Sequence, residues 1–121
     1  MKAKKLFFKE CHLAGRQYHD VDEVWEELHV GTLLELERDL DNRYDKNAVA
    51  VTYSCGIDED TGETEDYLLG YIPSGENEEI AQLLEMGWYD IFECRISKIN
   101  PKAHYENQIR LTIRIKRNIG K

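Results

Sequence analysis

The sequence predicts a mainly β fold with two short helices, arranged as a small, partly open β-barrel of about six strands. Three observations lead to it. The chain has 121 residues, which is enough for one domain. In residues 108–116 apolar side chains alternate with polar or cationic ones, the period of a strand with one buried face. Elsewhere short apolar runs are separated by polar turns, and only two stretches show helical spacing.

The strands follow from these apolar runs and the turn residues between them. Leu, Phe, Val and Ile dominate the runs, and Gly, Asn and Asp dominate the gaps. The predicted strands cover residues 4–13, 33–38, 48–53, 67–73, 88–99 and 108–116. This count of strands makes an OB-like barrel the natural candidate.

The two helices have recognisable starts and stops. Asp20 is predicted to cap the first, with Glu23 three positions later as in a capping box, and Gly31 ends it. The second is predicted over residues 77–86 and stops at Gly87. We expect a single domain over residues 1–121, in which the hairpin of residues 88–117 completes the barrel.

Net charge is −8, which argues against a generic basic nucleic-acid binder. The distribution is uneven, because residues 1–16 carry +4, residues 95–121 carry +7, and residues 17–94 carry −19. If the fold brings the two ends together, they form a basic face sufficient for a short stretch of phosphate backbone.

Neither a cofactor nor a catalytic site is predicted. The acidic stretch of residues 58–66 does not have the spacing of an EF-hand, so a solvated hairpin loop is favoured over a cation site. The four histidines show no metal-ligand or catalytic spacing, and Cys11, Cys55 and Cys94 suggest free thiols. The chain has no run of membrane-spanning length and no signal-peptide core, so we expect a cytoplasmic location without membrane association.

A polar turn leading into a small apolar strand is the most informative stretch. Its residues are Asn42, Arg43, Tyr44, Asp45, Lys46 and Asn47, followed by Ala48-Val49-Ala50-Val51. Asn and Asp side chains commonly satisfy the backbone of such turns, and this structural role is the first interpretation. The alternative is that the polar side chains of the turn bind a ligand, because the rigid strand that follows holds them in place.

This stretch resembles the signature of the HIRAN domain family. The resemblance includes Leu13 to Tyr18, Leu33 to Arg38, Leu69 to Pro73 and the helical stretch from Glu76 to Leu84, and it is strongest over residues 6–87. It implies an OB-like barrel and a non-enzymatic module that binds the 3′ end of single-stranded DNA, with DNA repair as the setting. A separate DNA-processing ATPase or nuclease is a further partner that it implies.

The resemblance also implies roles for individual residues. Tyr44 would stack on the terminal base or sugar, and Asp45 would accept a hydrogen bond from the 3′-hydroxyl. Asn42 and Asn47 would hold the turn, Arg16 would contact a phosphate, and Tyr18 would stack on a base. The complete set of DNA-binding residues is Arg16, Gln17, Tyr18, Asn42, Tyr44, Asp45, Lys46, Asn47 and Tyr71.

Three positions depart from the eukaryotic members of the family. Gln17 stands in place of an aromatic residue, Tyr71 in place of a histidine, and Ser74 in place of a lysine. These differences remove one stacking side chain and one phosphate contact, so weaker DNA binding is expected. The alternative function is therefore a protein-interaction module that keeps the barrel and has lost DNA binding.

A cationic strip in the last predicted strand is the remaining candidate. Arg110, Arg114 and Lys116 share one face of that strand and are predicted to contact a phosphate backbone. Equally, they are expected of a solvated face on an edge strand that is protected against aggregation.

Overall fold

The computed structural model describes residues 5–117 and contains one six-stranded, wholly antiparallel sheet. Its strands are β1 (Lys5–His12), β2 (Leu33–Arg38), β3 (Val49–Ile57), β4 (Thr64–Tyr71), β5 (Phe92–Ile99) and β6 (Ile109–Lys116). The two α-helices are α1 (Val21–Val24) and α2 (Glu78–Glu85). Single 3-10 turns lie at Arg16–Tyr18, Trp25–Glu27 and Tyr105–Asn107. The predicted mainly β architecture is confirmed.

The sheet curls toward a barrel but does not close along a full strand. The strand order is β1-β6-β5-β2-β3-β4, so β1 and β4 form its two edges. Just beyond β1, Ala14 meets Tyr71 at the end of β4 in an isolated bridge. Each of these two residues donates its N–H to the carbonyl oxygen of the other at 2.9 Å. We call this bridge the seam, and it is the partly open closure that the strand count predicts.

Gly70 permits the close approach at the seam. A Cβ atom built at this position would lie 2.4 Å from the Ala14 carbonyl oxygen and 3.0 Å from a methyl group of Leu13. Real Cβ atoms do not approach backbone oxygens so closely, so only glycine fits without movement of one strand. The seam therefore depends on the side chain that Gly70 lacks.

The core lies inside the curl. Ile109, Leu111 and Ile113, at alternate positions of β6, are fully buried, as the period-two pattern predicts. The helix α2 covers one side of the core through Ile80, Ala81 and Leu84. The largest side chains in this core with essentially no exposure are Leu13, Leu69, Ile72, Ile80, Ile96, Ile109, Leu111 and Ile113.

The basic ends of the chain meet because β1 and β6 pair along their length, from Lys5 opposite Lys116 to His12 opposite Arg110. However, β6 lies between β1 and β5, so the prediction that it forms an edge strand is wrong. Within residues 5–117, no helix has the length and apolar character needed to cross a bilayer.

Several element boundaries differ from those predicted. β3 continues to Ile57 and β4 begins at Thr64, because Ser54 and its neighbours pair across the hairpin with β4, which shortens the acidic loop. β5 begins at Phe92 instead of residue 88. Asp20 precedes α1 without a capping bond from its side chain, so the capping box does not form.

The cysteines are free, as the sequence indicates, with Cys11 and Cys94 buried and Cys55 half-buried. Burial raises the pKa of the Cys11 thiol to about 11 and also raises the pKa of Cys94. Both buried thiols are therefore protonated near neutral pH and behave as small apolar side chains.

Candidate functional site

The turn of residues 42–47 is held by its own side chains. Asn42 Oδ1 accepts hydrogen bonds from the backbone N–H groups of Tyr44 (2.9 Å) and Asp45 (3.0 Å). Asp45 Oδ1 accepts from the N–H of Asn47 at 2.9 Å. The structural role expected of Asn and Asp in a turn is therefore observed. This bonding also fixes where the neighbouring side chains point.

Asp45 has a second partner that is distant in the sequence. Its Oδ2 accepts a hydrogen bond of 2.8 Å from Nδ2 of Asn77, which is 2% exposed and precedes α2. The two carboxylate oxygens are thus each oriented by one donor, while the side chain stays half-exposed. Because a carboxylate oxygen has two lone pairs, each oxygen can accept a further hydrogen bond.

The aromatic side chains predicted to stack are directed outward. Tyr44 is 92% exposed and Tyr18 is 77% exposed, and neither makes a ring contact among the described residues. Lys46 and Arg43, beside Tyr44 in the turn, are exposed as well. The turn therefore presents a free aromatic ring and two cations around a fixed carboxylate.

Tyr71 connects this turn to the segment that contains Arg16. Its hydroxyl donates to Asp39 Oδ2 at 2.7 Å, and its ring packs against His19 with centroids 5.5 Å apart. Burial raises the pKa of Tyr71 above its ordinary value, the hydrogen bond to Asp39 acts in the same direction, and a side-chain hydrogen bond from Asn42 opposes them. Together with the seam at its backbone, Tyr71 brings the two predicted halves of the site together.

Arg38, at the end of β2, stabilises the turn through hydrogen bonds from its guanidinium group. Its Nη1 donates to the Ala48 carbonyl at 3.1 Å, and Nη2 donates to the Lys46 carbonyl and to Glu85 of α2. The side chain is 12% exposed, so its guanidinium interacts mainly with these partners and little with solvent. Arg38 therefore acts as a positioning residue for the turn.

Arg16 does not lie on the surface as a phosphate contact would require. It is 4% exposed, its Nη2 donates to Asp22 Oδ1 at 2.8 Å, and its guanidinium packs between the rings of Trp25 (5.2 Å) and Tyr105 (5.1 Å). Cation–π contact and an ion pair stabilise the charge in this enclosed position. In this conformation Arg16 holds the 3-10 turn against its neighbours.

The β5–β6 connection supplies partners that the sequence does not reveal. Glu106 Oε1 accepts a hydrogen bond from the Gly15 N–H at 3.1 Å, and its other oxygen lies 3.5 Å from His12 Nε2. Tyr105 beside it covers Arg16. Both residues lie some ninety positions from their partners, and no local pattern marks them. By contrast, Asn77 could be suspected because it precedes a helix.

The remaining predicted residues are dispersed. Arg114 and Lys116 are exposed on β6, whereas Arg110 is half-buried and donates to Glu10 at 3.1 Å. Ser74 is exposed, and the Gln17 side chain lies outside the described part of the structure. The described residues contain no cluster of His, Cys, Asp or Glu that could hold a metal ion.

The fold defines the chain as a small OB-like β-barrel with an exposed polar turn between β2 and β3. The model of the HIRAN domain matches residues 6–116, and the chain therefore belongs to the HIRAN domain family. The resemblance seen in the sequence is thereby confirmed.

Solved structures agree with this fold. A crystal structure of a protein from Lactobacillus plantarum is 21% identical, covers 93% of this chain and 97% of its own, and superposes with a TM-score of 0.69. The crystal structure of the HIRAN domain of human HLTF is 18% identical, with coverage of 96% and 84% and a TM-score of 0.55. At these identities the comparison supports the OB-like architecture. No curated protein sequence matches the chain.

Proposed function

We propose that this protein is a non-enzymatic module that binds single-stranded DNA at a free 3′-hydroxyl end. One observation carries the proposal: the ring of Tyr44 is 92% exposed beside Asp45, whose carboxylate is already oriented by Asn47 and Asn77. A terminal nucleotide needs a ring to stack on and an acceptor for its hydroxyl, and this corner offers both. Membership in the HIRAN family supports DNA as the ligand.

The carboxylate gives the site its preference for one kind of end. A hydroxyl can donate to a spare lone pair of Asp45, whereas a phosphate at the same position brings two negative groups together. Because the two bonds to Asp45 already hold it in place, the carboxylate loses little conformational entropy when it binds. Selectivity for 3′-hydroxyl over 3′-phosphate should therefore be large.

Phosphate contacts are assigned to a small number of cations. Lys46 and Arg43 are exposed at the turn, and Tyr18 offers a second stacking surface. Arg16 would reach a phosphate only after Tyr105 or Asp22 moves away from it. Arg114 and Lys116 on β6 are candidates for a more distant stretch of backbone. With so few cations on an acidic protein, binding should be modest and confined to a short segment.

The test is fluorescence anisotropy with a short labelled oligonucleotide at low salt, ending in either a 3′-hydroxyl or a 3′-phosphate. We expect the hydroxyl form to bind more than tenfold more tightly, about the effect of one charge-assisted hydrogen bond. Tyr44→Ala and Asp45→Asn should each weaken binding by about tenfold. Tyr89→Ala is the matched control, because Tyr89 is also a strongly exposed tyrosine but lies after α2.

Equal affinity for the two ends would remove Asp45 from its assigned role. Equal losses in Tyr44→Ala and Tyr89→Ala would show nonspecific contact. Failure of the folded protein to bind any DNA would favour the alternative, a protein-interaction module, which the enclosed position of Arg16 also favours. If DNA is bound, a separate ATPase or nuclease that processes the same end is the expected partner.

A further inference from the structure

A groove opens where β2 and β5 separate. The two strands pair only through Leu33 opposite Arg95 and Leu34 opposite Cys94. Beyond Leu34, β2 continues to Arg38 beside β3 alone, and a groove of about 640 Å³ lies between the diverging strands. This volume is in the range of ligand-binding clefts.

One wall of the groove is a strand edge with backbone groups available for pairing. In an antiparallel ladder, successive residues point their N–H and C=O groups to opposite sides. Asp39 donates its N–H to Ala48 on the β3 side, so Leu36 and Arg38 point theirs toward the groove. The described ladder between β2 and β5 contains no pair at these positions. An extended chain could continue the pairing there by strand addition.

The two faces of such an added strand would meet different surroundings. On the core-facing side of the sheet, the groove is lined by buried or half-buried apolar side chains, namely Leu34, Leu36, Leu84 and Phe92. On the solvent-facing side of the sheet, Glu35 and Glu37 project from the opposite face of β2 and are exposed. Because side chains of a strand alternate between faces, a matching peptide alternates apolar and cationic residues.

The charge of the groove favours a cationic occupant. Glu93 is paired with Lys5 and Arg95, and Arg38 with Glu85. Glu35, Glu37 and Asp90 line the groove without an ion pair among residues 5–117, and Lys116 is the one lining cation besides Arg38 in that range. The lining thus has more available carboxylates than cations.

We propose that this groove binds an extended segment of a partner protein in which apolar residues alternate with lysine or arginine. The open edge of β2 supplies main-chain pairing, the apolar floor supplies burial, and Glu35 and Glu37 supply the charge preference. A nucleic acid is disfavoured because its phosphates would face these carboxylates. A second copy pairing through β2 is disfavoured because Glu35 and Glu37 of both copies would meet.

The rim of the groove gives the peptide further contact area. Leu40 is 74% exposed and Tyr89 is 71% exposed, and both line the groove from the segments that follow β2 and α2. Large apolar side chains exposed around a concave site mark surfaces that bind other proteins. Tyr89 is therefore the side chain whose loss should affect the peptide without affecting the turn at Tyr44.

The experiment uses the full chain and synthetic fluorescein-labelled peptides of about ten residues, long enough for one strand. One peptide alternates Val and Lys, a second alternates Val and Glu, and a third is the Val–Lys peptide with N-methylated alternate amides. Anisotropy measures binding, and ¹⁵N–¹H spectra follow the amides of Leu36 and Arg38. The protein variants are Tyr89→Ala and Glu35→Gln/Glu37→Gln, with Tyr44→Ala as the matched control.

We expect the Val–Lys peptide alone to bind and to shift the amides of Leu36 and Arg38. The Glu35→Gln/Glu37→Gln variant should bind it about fivefold more weakly, as the loss of two exposed ion pairs implies. Tyr89→Ala should also bind more weakly, and N-methylation should abolish binding. Equal binding of the Val–Lys and Val–Glu peptides, shifts confined to other strands, or indifference to N-methylation would each overturn the proposal. Unchanged amide spectra elsewhere in the variants establish that they fold.

Discussion

The turn of residues 42–47 and the groove between β2 and β5 both adjoin the end of β2, yet they are constructed in opposite ways. In the turn, side chains satisfy the backbone and an aromatic ring is left free. In the groove, backbone groups of β2 and several carboxylates have no partner among residues 5–117. A turn whose backbone is already hydrogen-bonded presents a fixed surface, which suits a small ligand group such as the end of a DNA strand. A β-strand edge with unpaired backbone groups can instead pair with an extended peptide of suitable charge.

The same comparison explains why two different kinds of partner are proposed for one acidic protein. Net charge of −8 describes the average, whereas each surface has its own set of free charges. Lys46 and Arg43 are exposed at the turn, and Glu35 and Glu37 are exposed at the groove. Arg38 belongs to both regions, since it lines the groove while its guanidinium donates to the Lys46 carbonyl in the turn.

The largest expected effect comes from disrupting the seam, which holds Tyr71 next to the turn, by a substitution at Gly70. Gly70→Ala would place a methyl group 2.4 Å from the Ala14 carbonyl oxygen, so β1 and β4 must move apart. We expect a loss of about 1–3 kcal/mol in the free energy of unfolding, measured by urea denaturation. DNA affinity should fall with it, while affinity of the groove for the Val–Lys peptide should remain.

Ser74→Ala, at an exposed position shortly after β4, is the control and should change stability by less than about 0.5 kcal/mol. Unaltered stability in Gly70→Ala would show that the seam does not constrain the barrel. Equal loss of DNA and peptide binding would show that the two regions are not independent.

A smaller effect is expected from releasing Asp45. Asn77→Ala removes the donor to Asp45 Oδ2 from a position that is 2% exposed. Because Asp45 is half-exposed, water can replace the lost donor, so the substitution should cost about 0.5–1.5 kcal/mol of stability. The preference for a 3′-hydroxyl end should narrow, because only the bond from the Asn47 N–H then orients the carboxylate. Urea denaturation and the paired oligonucleotides measure the two effects.

Gln82→Ala, on the exposed face of α2, is the matched amide control and should leave both quantities unchanged. If Asn77→Ala preserved the full preference for the hydroxyl end, the orientation of Asp45 would have to come from the turn alone.

The smallest effect is expected at the ring that covers Arg16. Tyr105→Leu removes one of two aromatic contacts to the guanidinium, a loss of about 0.5–1 kcal/mol in stability. If Arg16 becomes available to a phosphate when uncovered, DNA binding should strengthen and become more dependent on salt. A change in the opposite direction would show that Tyr105 itself contacts DNA. Tyr89→Leu serves as the control for loss of an exposed tyrosine.

The sequence predicted the fold well where local pattern and burial agree. β2 was predicted at its observed bounds because Leu and Glu alternate through it. β6 was predicted to within one residue, since it begins at Ile109 instead of residue 108, because its apolar residues recur at every second position. β5 was predicted to start too early because Trp88 and Tyr89 resemble strand residues, although they follow the positive-φ Gly87 and are exposed. Exposure of an apolar residue cannot be read from its neighbours in the sequence.

In the candidate site, too, the sequence predicted the contacts between residues that are close in the chain and missed those between distant residues. The bonds that Asn42 and Asp45 make within the turn span three residues at most, so residue type and position indicate them. The bond from Asn77 to Asp45 spans 32 residues and has no such local signal. The burial of Arg16 depends on Trp25 and on Tyr105, which arrives from the other end of the chain. Such contacts are decided by topology, and a single sequence does not specify which loop will cover which side chain.

The seam has a further consequence for motion. Two backbone hydrogen bonds, between Ala14 and Tyr71, join the two edges of the curled sheet, whereas β1 pairs with β6 and β3 with β4 along extended ladders. Opening at this point breaks two backbone hydrogen bonds, so the amide protons of these two residues should exchange with solvent by a local route, well before global unfolding. A ligand that spans the Tyr18 and Tyr44 sides would bridge that weak point and slow their exchange, making deuterium uptake at two amides a measure of occupancy.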